Sequence, residues 1–400
     1  MIKYWNLLCA MLVSLFVASC RDDVPDPKEP MYKHTVIVYM AADNSLSADS
    51  NADIYEMKSA LGRIPEGCQV VVFHDDNNAL HKPQLLLLRS EGYSVYKEYA
   101  NEMNSADAAV VGSVLAEVMG TFPSDEYSLV LWSHGSNWKV ENGSASRVSS
   151  RAVLQDVDFG GQNGSWLNIA ELRGVLKGLP QRMHFLMFDA CFMQSVEVAA
   201  ELYDLTNWII ASPVEIPGVG APYNMIMEGL CRKDIRGIVN NYHDYCIEGS
   251  KRKGVLLSAI DCTEFDAFAA VTSQYVPEVF RKDAMPSLSG VQLFAPRFRT
   301  DKTDWPIPSY DVRSVMAHLL DKDDYEVWET QWRRTVPYCV SDDKWDTIYI
   351  GSGYNSLTDA DHYGGVAMSV PDAIYENRGW NDNFSSLRWY GMAGWDKTGW

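Results

Sequence analysis

A histidine and a cysteine each follow a sequence pattern typical of a buried strand. His134 follows the apolar run Tyr127–Ser133, and Cys191 comes shortly after the apolar run His184–Phe188. In an open parallel sheet, ligands bind outside the carboxyl ends of the strands, so neighbouring strands would place the imidazole beside the thiol. Such a pair is the minimum equipment of a cysteine peptidase. For Cys191 alone, a buried structural cysteine is the alternative.

Cys191 also precedes a predicted helix over Gln194–Tyr203. The N-terminus of a helix favours the thiolate over the thiol, so we expect a lowered pKa for Cys191. His134 is followed by Gly135 and Ser136, which places its ring at a strand-to-loop turn and not within a core.

Strand-like runs alternate with helical patterns along most of the chain. Strands are predicted at His34–Ala41, Gln69–His74, Gln84–Arg89, Tyr127–Ser133, His184–Phe188, Asn207–Ser212, Val255–Ile260 and Gly365–Val370, and helices at Ser45–Ile64, Asn104–Met119, Leu172–Leu179 and Gln194–Tyr203. Nearly continuous hydrophobic strands that alternate with helices predict an α/β fold with a mostly parallel sheet covered on both faces. We expect a core over residues 34–260 and an appended C-terminal subdomain over 261–400, from which a strand rejoins the core sheet.

Two helix starts can be assigned from capping residues. Asn168 and Glu171 have capping-box spacing. Asn104 or Ser105 is expected to cap the helix over residues 104–119.

Composition narrows the functional class. The formal charge of −19 argues against nucleic-acid binding, which needs a basic face. An acidic surface is compatible with cationic substrates, although solubility explains it equally well. The histidines show no HExxH or HxxxH spacing and the cysteines no CxxC, so neither a metallopeptidase nor a zinc or redox motif is supported.

The N-terminus has the pattern of a bacterial lipoprotein signal. Residues 1–19 place Lys3 before a short apolar core, and Val17–Cys20 resembles a lipobox. We expect lipidation at Cys20, a polar tether over residues 20–33, and an extracytoplasmic protein anchored by lipid alone to a bacterial membrane, with the outer membrane favoured. The alternative is an ordinary secretory signal with an incidental cysteine.

Three segments together resemble the clostripain family of cysteine peptidases: Val38–Leu46, Leu129–Trp138 and Phe185–Leu202. The resemblance continues through Ala211–Tyr223 and Gly364–Pro371 and covers almost the whole chain from His34 onward. It implies a caspase-like three-layer α/β/α fold and a cysteine endopeptidase that acts through an acyl-thioester.

The resemblance also implies roles for individual residues. Cys191 matches the nucleophile and His134 the general base or acid, in a dyad without an obligatory third residue. Backbone N–H groups of Gly135 and Cys191 match the oxyanion hole. Relatives prefer Arg or Lys before the scissile bond; Asp189 matches their acidic pocket residue, and Glu215 approximately matches a second pocket acid. A structural carboxylate at the strand end is the alternative for Asp189.

Several relatives mature by self-cleavage after a basic residue in the interval between the histidine and the cysteine. Lys139, Arg147 and Arg151 are the candidate sites here, and an ordinary flexible loop is the alternative.

No cofactor is required by this interpretation, although some relatives use calcium. The acidic pairs Asp156-x-Asp158, Asp323-Asp324 and Asp342-Asp343 could supply oxygen ligands. None has the spacing of a defined calcium loop, so we expect solvated charge and assign no metal ligand.

The competing hypothesis is a catalytically inactive surface lipoprotein that uses the same fold to bind peptides or host polymers. Loss of function usually removes one catalytic residue, whereas this chain keeps both His134 and Cys191. We therefore expect an enzyme whose partners are proteins or peptides with basic residues. A fold alone does not establish activity.

Overall fold

The structure, a computed structural model, describes residues 32–138, 140–141, 149–150, 153–159, 164–248, 254–295, 308–347, 353–373 and 379–400. These described residues form one compact unit. The predicted signal peptide, Cys20, and the three candidate cleavage residues Lys139, Arg147 and Arg151 lie outside the described residues. Within the described part, no helix is long and apolar enough to span a membrane.

Strands and helices are numbered in chain order. The strands are β1 Tyr32–Ala42, β2 Cys68–Asp76, β3 Gln84–Arg89, β4 Gly92–Glu98, β5 Ser124–Trp132, β6 Val140–Glu141, β7 Ser149–Ser150, β8 Val153–Asp156, β9 Ser165–Leu167, β10 Met183–Asp189, β11 Thr206–Ala211, β12 Leu257–Asp261, β13 Leu293–Ala295, β14 Ser309–Asp311, β15 Tyr338–Val340, β16 Lys344–Thr347, β17 Gly353–Ser356 and β18 Ala367–Ser369. The helices are α1 Ser47–Ser59, α2 Ala108–Thr121, α3 Ile169–Lys177, α4 Val196–Leu202, α5 Tyr223–Arg232, α6 Ile235–Glu248, α7 Phe265–Thr272, α8 Val276–Val279, α9 Val312–Leu319, α10 Lys322–Thr335, α11 Trp380–Ser385 and α12 Arg388–Met392.

A nine-stranded sheet in the order β15-β12-β11-β10-β5-β1-β2-β3-β4 forms the middle layer. The five strands from β11 to β2 are parallel, and two antiparallel strands extend each edge. Alternate residues of a strand face opposite sides of a sheet. In β1, Ile37 and Tyr39 enter one hydrophobic core, and Val36 and Val38 enter the other. Both faces are therefore covered by helices, which confirms the predicted α/β fold with a mostly parallel sheet.

The two outer layers draw on different parts of the chain. Helices α1, α5 and α6 cover one face, whereas α2 to α4 and the helices after residue 260 pack in the core on the other face. The strand from this later part that joins the central sheet is β15, which pairs with β12. The predicted strand Gly365–Val370 instead contains β18, which belongs to a separate three-stranded sheet.

Local expectations hold at one helix start and fail at another. The capping box of Asn168 and Glu171 is present at the start of α3. Helix α2, in contrast, begins at Ala108, with Asp107 as its cap, because the Asn104 side chain accepts from Ala106 N–H in a turn before the helix. Strand β4 was not predicted, since most of its residues are exposed at the sheet edge and carry no apolar pattern.

The aromatic C-terminal segment is expected to contribute strongly to stability. Trp389 is fully buried and stacks on Phe268 with ring centroids 5.6 Å apart. Trp389→Ala should lower the free energy of unfolding by about 3–5 kcal/mol, because a large cavity replaces the indole. Urea denaturation would measure the loss, with Tyr55→Ala as the control, since Tyr55 is 74% exposed. Equal stability of the two variants would contradict a contribution of the C-terminal segment to the hydrophobic core.

Candidate active site

The predicted catalytic residues leave the same edge of the sheet. Strands β5 and β10 are parallel neighbours, and Asp189 lies opposite Trp132 in their register. The segments that carry His134 and Cys191 therefore emerge side by side. A Cβ atom added to Gly135 would lie 2.6 Å from the Cys191 carbonyl oxygen, closer than real Cβ contacts. The absence of a side chain at Gly135 is what permits this approach.

The side chains of His134 and Cys191 have different hydrogen-bond partners. His134 Nε2 lies 2.9 Å from Ser45 Oγ, and no hydrogen bond between described residues joins His134 to Cys191. The Cys191 thiol instead lies against the backbone N–H of Ile216. Catalytic hydrogen bonds are often loose without substrate and tighten in the complex, so this geometry is compatible with a dyad.

Burial acts in opposite directions on the two groups. It raises the pKa of the Cys191 thiol to about 12, and the charges of Glu215 and Asp189 add to this effect. Burial also lowers the pKa of His134, so its imidazole is neutral at pH 7. The expectation of a lowered thiol pKa was wrong. Helix α4 begins at Val196, after the predicted start at Gln194, and its N-terminus does not offset the effect of burial on the thiol.

The loops after both residues adopt unusual backbone conformations. Asn137 and Phe192 both have φ of 65°, which is uncommon for residues with a side chain. Ser195 Oγ donates to Asn137 Oδ1 at 2.7 Å and so joins the two loops. Phe192 N–H donates to Val214 O at 3.0 Å. Such conformations persist only where the surroundings enforce them, and they cluster at functional sites.

A third loop, after β1, borders His134. The Asn44 side chain donates to the carbonyl oxygens of Ala41 and Gln155, at 2.9 and 2.8 Å. Ser133 Oγ donates to the same Ala41 carbonyl at 2.7 Å. The residue before the histidine is thus anchored to β1. The sequence analysis assigned Asn44 no role, and its polar side chain directly after an apolar strand was the available signal.

Asp189 lies in the interior and is only 2% exposed. Its carboxylate accepts hydrogen bonds from Ala221 N–H, Tyr223 OH and Tyr242 OH, at 3.1, 3.0 and 3.2 Å. In this structure its contacts are those of the structural alternative and not of an open pocket floor. Glu215, in contrast, is partly exposed and close enough for its charge to act on the Cys191 thiol.

A second buried acid, Asp53 of α1, was missed by the sequence analysis. Its Oδ2 accepts from Trp132 Nε1 at 2.7 Å. A Cβ atom on Gly220 would lie 3.0 Å from Asp53 Oδ2 and 3.3 Å from Asp189 Oδ2, so both carboxylates lie beside this glycine. Burial raises the pKa of both acids, and the charge of Asp189 raises that of Asp53 further.

Further acids lie at the carboxyl end of β2. Both carboxylate oxygens of Asp75 are buried and have no hydrogen-bond partner of good geometry among the described residues. Burial, followed by the charges of Glu102 and Asp156, raises the pKa of Asp75 to about 9. Asp156, one of the acids considered for calcium, accepts from Ser105 N–H at 2.8 Å. The described residues contain no group of three His, Cys, Asp or Glu that could hold a metal ion.

Comparison with known proteins identifies the family. The model of the clostripain family of C11 peptidases matches residues 38–400. The chain belongs to the clostripain family. A search of curated protein sequences finds no significant match.

Solved structures agree with this assignment. This clostripain-family chain is 25% identical to a secreted C11 cysteine protease from Bacteroides thetaiotaomicron in complex with an irreversible peptide inhibitor, with a TM-score of 0.76 over 91% of this chain and 100% of that chain. An inactive zymogen C11 protease from Parabacteroides distasonis is 24% identical, with a TM-score of 0.73 over 90% and 98% of the two chains. The caspase-like fold is thereby confirmed, and cysteine protease activity is supported.

The burial of the Asp75 carboxyl makes a test of its charge state possible. Its pKa is raised in the folded protein, so its contribution to stability is full below pH 4 and is lost as the pH rises toward 9. Asp75→Asn should therefore raise the free energy of unfolding by about 1–2 kcal/mol at pH 8, and by less at pH 5. Thermal unfolding at both pH values would measure this, with the exposed Asp125→Asn as control.

The same unfolding measurement with added calcium tests the expectation that these acids hold no metal ion. Calcium should leave the thermal stability of the wild type unchanged. Wild-type protein that is stabilised by calcium, together with an Asp75→Asn variant that loses both this response and stability at pH 8, would show that Asp75 serves a cation and not a proton.

Proposed function

We propose that this clostripain-family protein is a cysteine endopeptidase that cleaves peptide bonds after Arg or Lys. The observation that carries the proposal is the contact of the segments bearing His134 and Cys191, with the Gly135 backbone against the Cys191 carbonyl oxygen. No other residue type than glycine fits at that distance. A glycine at position 135 is therefore required for the two segments to lie this close together.

The reaction follows from the residues at the site. His134 accepts the thiol proton, and the Cys191 sulfur attacks the peptide carbonyl carbon. Backbone N–H groups of Gly135 and Cys191 stabilise the resulting oxyanion, at about 3 kcal/mol per donor. His134 then gives its proton to the leaving amine. Water hydrolyses the acyl-thioester and regenerates the thiol.

The preference for basic residues is supported by acids around the nucleophile. Glu215 is partly exposed near Cys191, so a cationic side chain can approach it from solvent. Asp189 is buried beneath Gly220, and contact with it requires the adjoining loop, whose Gly218 and Val219 are exposed, to shift. We therefore propose that Glu215 meets the cation first and that Asp189, with Asp53 beside it, supplies further negative charge.

Peptide assays on the chain from Pro30 onward test this function. Fluorogenic peptides with Arg, Lys, Asp or Leu before the scissile bond should be cleaved only after Arg and Lys. Cys191→Ala should lower the rate of cleavage by about three orders of magnitude or more. Asp189→Asn and Glu215→Gln should each reduce kcat/KM for Arg and Lys peptides by about 10- to 100-fold, whereas the exposed Asp125→Asn should not.

Two results would be decisive against the proposal. Unchanged Arg and Lys preference in both acid variants would remove the pocket assignment. No cleavage of any peptide, with and without calcium and a reducing agent, would favour the inactive peptide-binding lipoprotein.

We also propose self-cleavage after Lys139, Arg147 or Arg151. Wild-type protein should yield two fragments whose junction N-terminal sequencing places after one of these residues, whereas Cys191→Ala should stay intact. Replacement of all three by Gln should leave the chain uncut and reduce peptidase activity. A wild-type chain that is intact and fully active would contradict maturation by cleavage.

The proposed location outside the cytoplasm rests on the N-terminal pattern alone. Lipidation at Cys20 would anchor the protein to a bacterial membrane. Metabolic labelling with an alkyne fatty acid should mark the wild-type protein and not Cys20→Ser, which should be recovered in the soluble fraction.

A further inference from the structure

The loop after β1 is built to hold one hydroxyl group in place. Asn44 is fully buried, and its amide donates to Ala41 O at 2.9 Å and to Gln155 O at 2.8 Å. Its Oδ1 accepts from Leu46 N–H at 2.9 Å. These bonds fix the backbone on both sides of Ser45. The Ser45 side chain is therefore presented from an anchored turn, although the residue itself is exposed.

That hydroxyl lies against one nitrogen of the catalytic imidazole. Ser45 Oγ is 2.9 Å from His134 Nε2. With Nε2 occupied, only Nδ1 is left to face Cys191. Among the described residues, no charged group contributes a resolved shift to the pKa of His134, which burial alone lowers. The orienting partner is thus a neutral hydroxyl and not a carboxylate.

We propose that Ser45 is the positioning residue of His134: its oxygen accepts the Nε2–H and so keeps Nδ1 unprotonated and directed toward the Cys191 thiol. The proposal rests on the function proposed above, in which these two residues form the dyad. It adds a third member, from the loop after β1, to that dyad.

The hydrogen bond persists through the proton transfers. When Nδ1 takes the thiol proton, the ring becomes an imidazolium, and the Nε2–H to Ser45 bond becomes charge-assisted and stronger. When Nδ1 gives that proton to the leaving amine, the ring returns to the neutral Nε2–H tautomer. Ser45 therefore favours the protonated state more than the neutral state, without itself gaining or losing a proton.

Ser45→Ala, Ser45→Thr and the control Ser59→Ala test this role in the full chain. Ser59 is an exposed serine of α1 whose hydroxyl, within the described part of the chain, donates only to Glu56 O. The first readout is the rate at which iodoacetamide alkylates Cys191, followed by mass spectrometry from pH 5 to 9, because this reaction needs no particular substrate. The second is kcat and KM on an Arg peptide.

Ser45→Ala should slow alkylation and lower kcat by about 10- to 100-fold, with KM within about twofold, because the imidazole loses its orientation. The acidic limb of the alkylation profile, where His134 becomes protonated and can no longer take the thiol proton, should move to lower pH, since the imidazolium has lost a partner. Ser45→Thr should restore most of both rates, and Ser59→Ala should match the wild type.

Wild-type rates and an unshifted profile in Ser45→Ala would overturn the proposal. Faster alkylation or cleavage in Ser45→Ala would also overturn it, because Ser45 would then restrain His134 away from the thiol. Failure of the proposed specificity is distinguishable: Arg peptides would not be cleaved, yet alkylation would still depend on Ser45. If Cys191 of the wild type were alkylated no faster than an ordinary cysteine, both the role of Ser45 and the proposed function would be contradicted.

Discussion

The close approach of Gly135 to the Cys191 carbonyl is the constraint on which the site depends. At this distance a side chain on residue 135 would overlap the oxygen, so the two strand ends converge only through glycine. Convergence in turn requires each following loop to turn sharply, and Asn137 and Phe192 accept positive φ values to do so. The bond from Ser195 to Asn137 then holds both turns together. The positive φ values of the two loops and the close approach of the two strand ends therefore have the same cause.

This arrangement needs the C-terminal part of the chain as well as the parallel core. Two buried acids of α4, the helix after the nucleophile loop, accept backbone N–H groups from that part: Glu197 from Ser369 at 2.7 Å, and Glu201 from Arg388 at 2.7 Å. Ala367 N–H also donates to Gln194 O at 2.9 Å. The residues between Cys191 and α4 are therefore held by the C-terminal part of the chain as well as by the parallel core.

The sequence predicted what depends on local pattern. Parallel strands buried on both faces give continuous apolar runs, which is why β1, β5 and β10 were recognised together with the residues at their ends. Strand β4 was missed because an exposed edge lacks this pattern. The burial of Asp189 could not be inferred, because it depends on hydroxyl groups of Tyr223 and Tyr242, which lie far along the chain. The contact of Ser45 with His134 likewise joins two loops that follow separate strands, β1 and β5, and lie far apart in the chain.

The electrostatics of the site link specificity to activation. In the resting structure, burial holds both thiol and imidazole neutral, so forming a thiolate requires groups that favour charge separation. The Ile216 N–H favours the thiolate, whereas the charges of Glu215 and Asp189 oppose it. A basic substrate side chain bound beside Glu215 would offset those charges and lower the thiol pKa as it binds. The two acids proposed to bind the cation, Glu215 and Asp189, are thus also charges that raise the pKa of the Cys191 thiol.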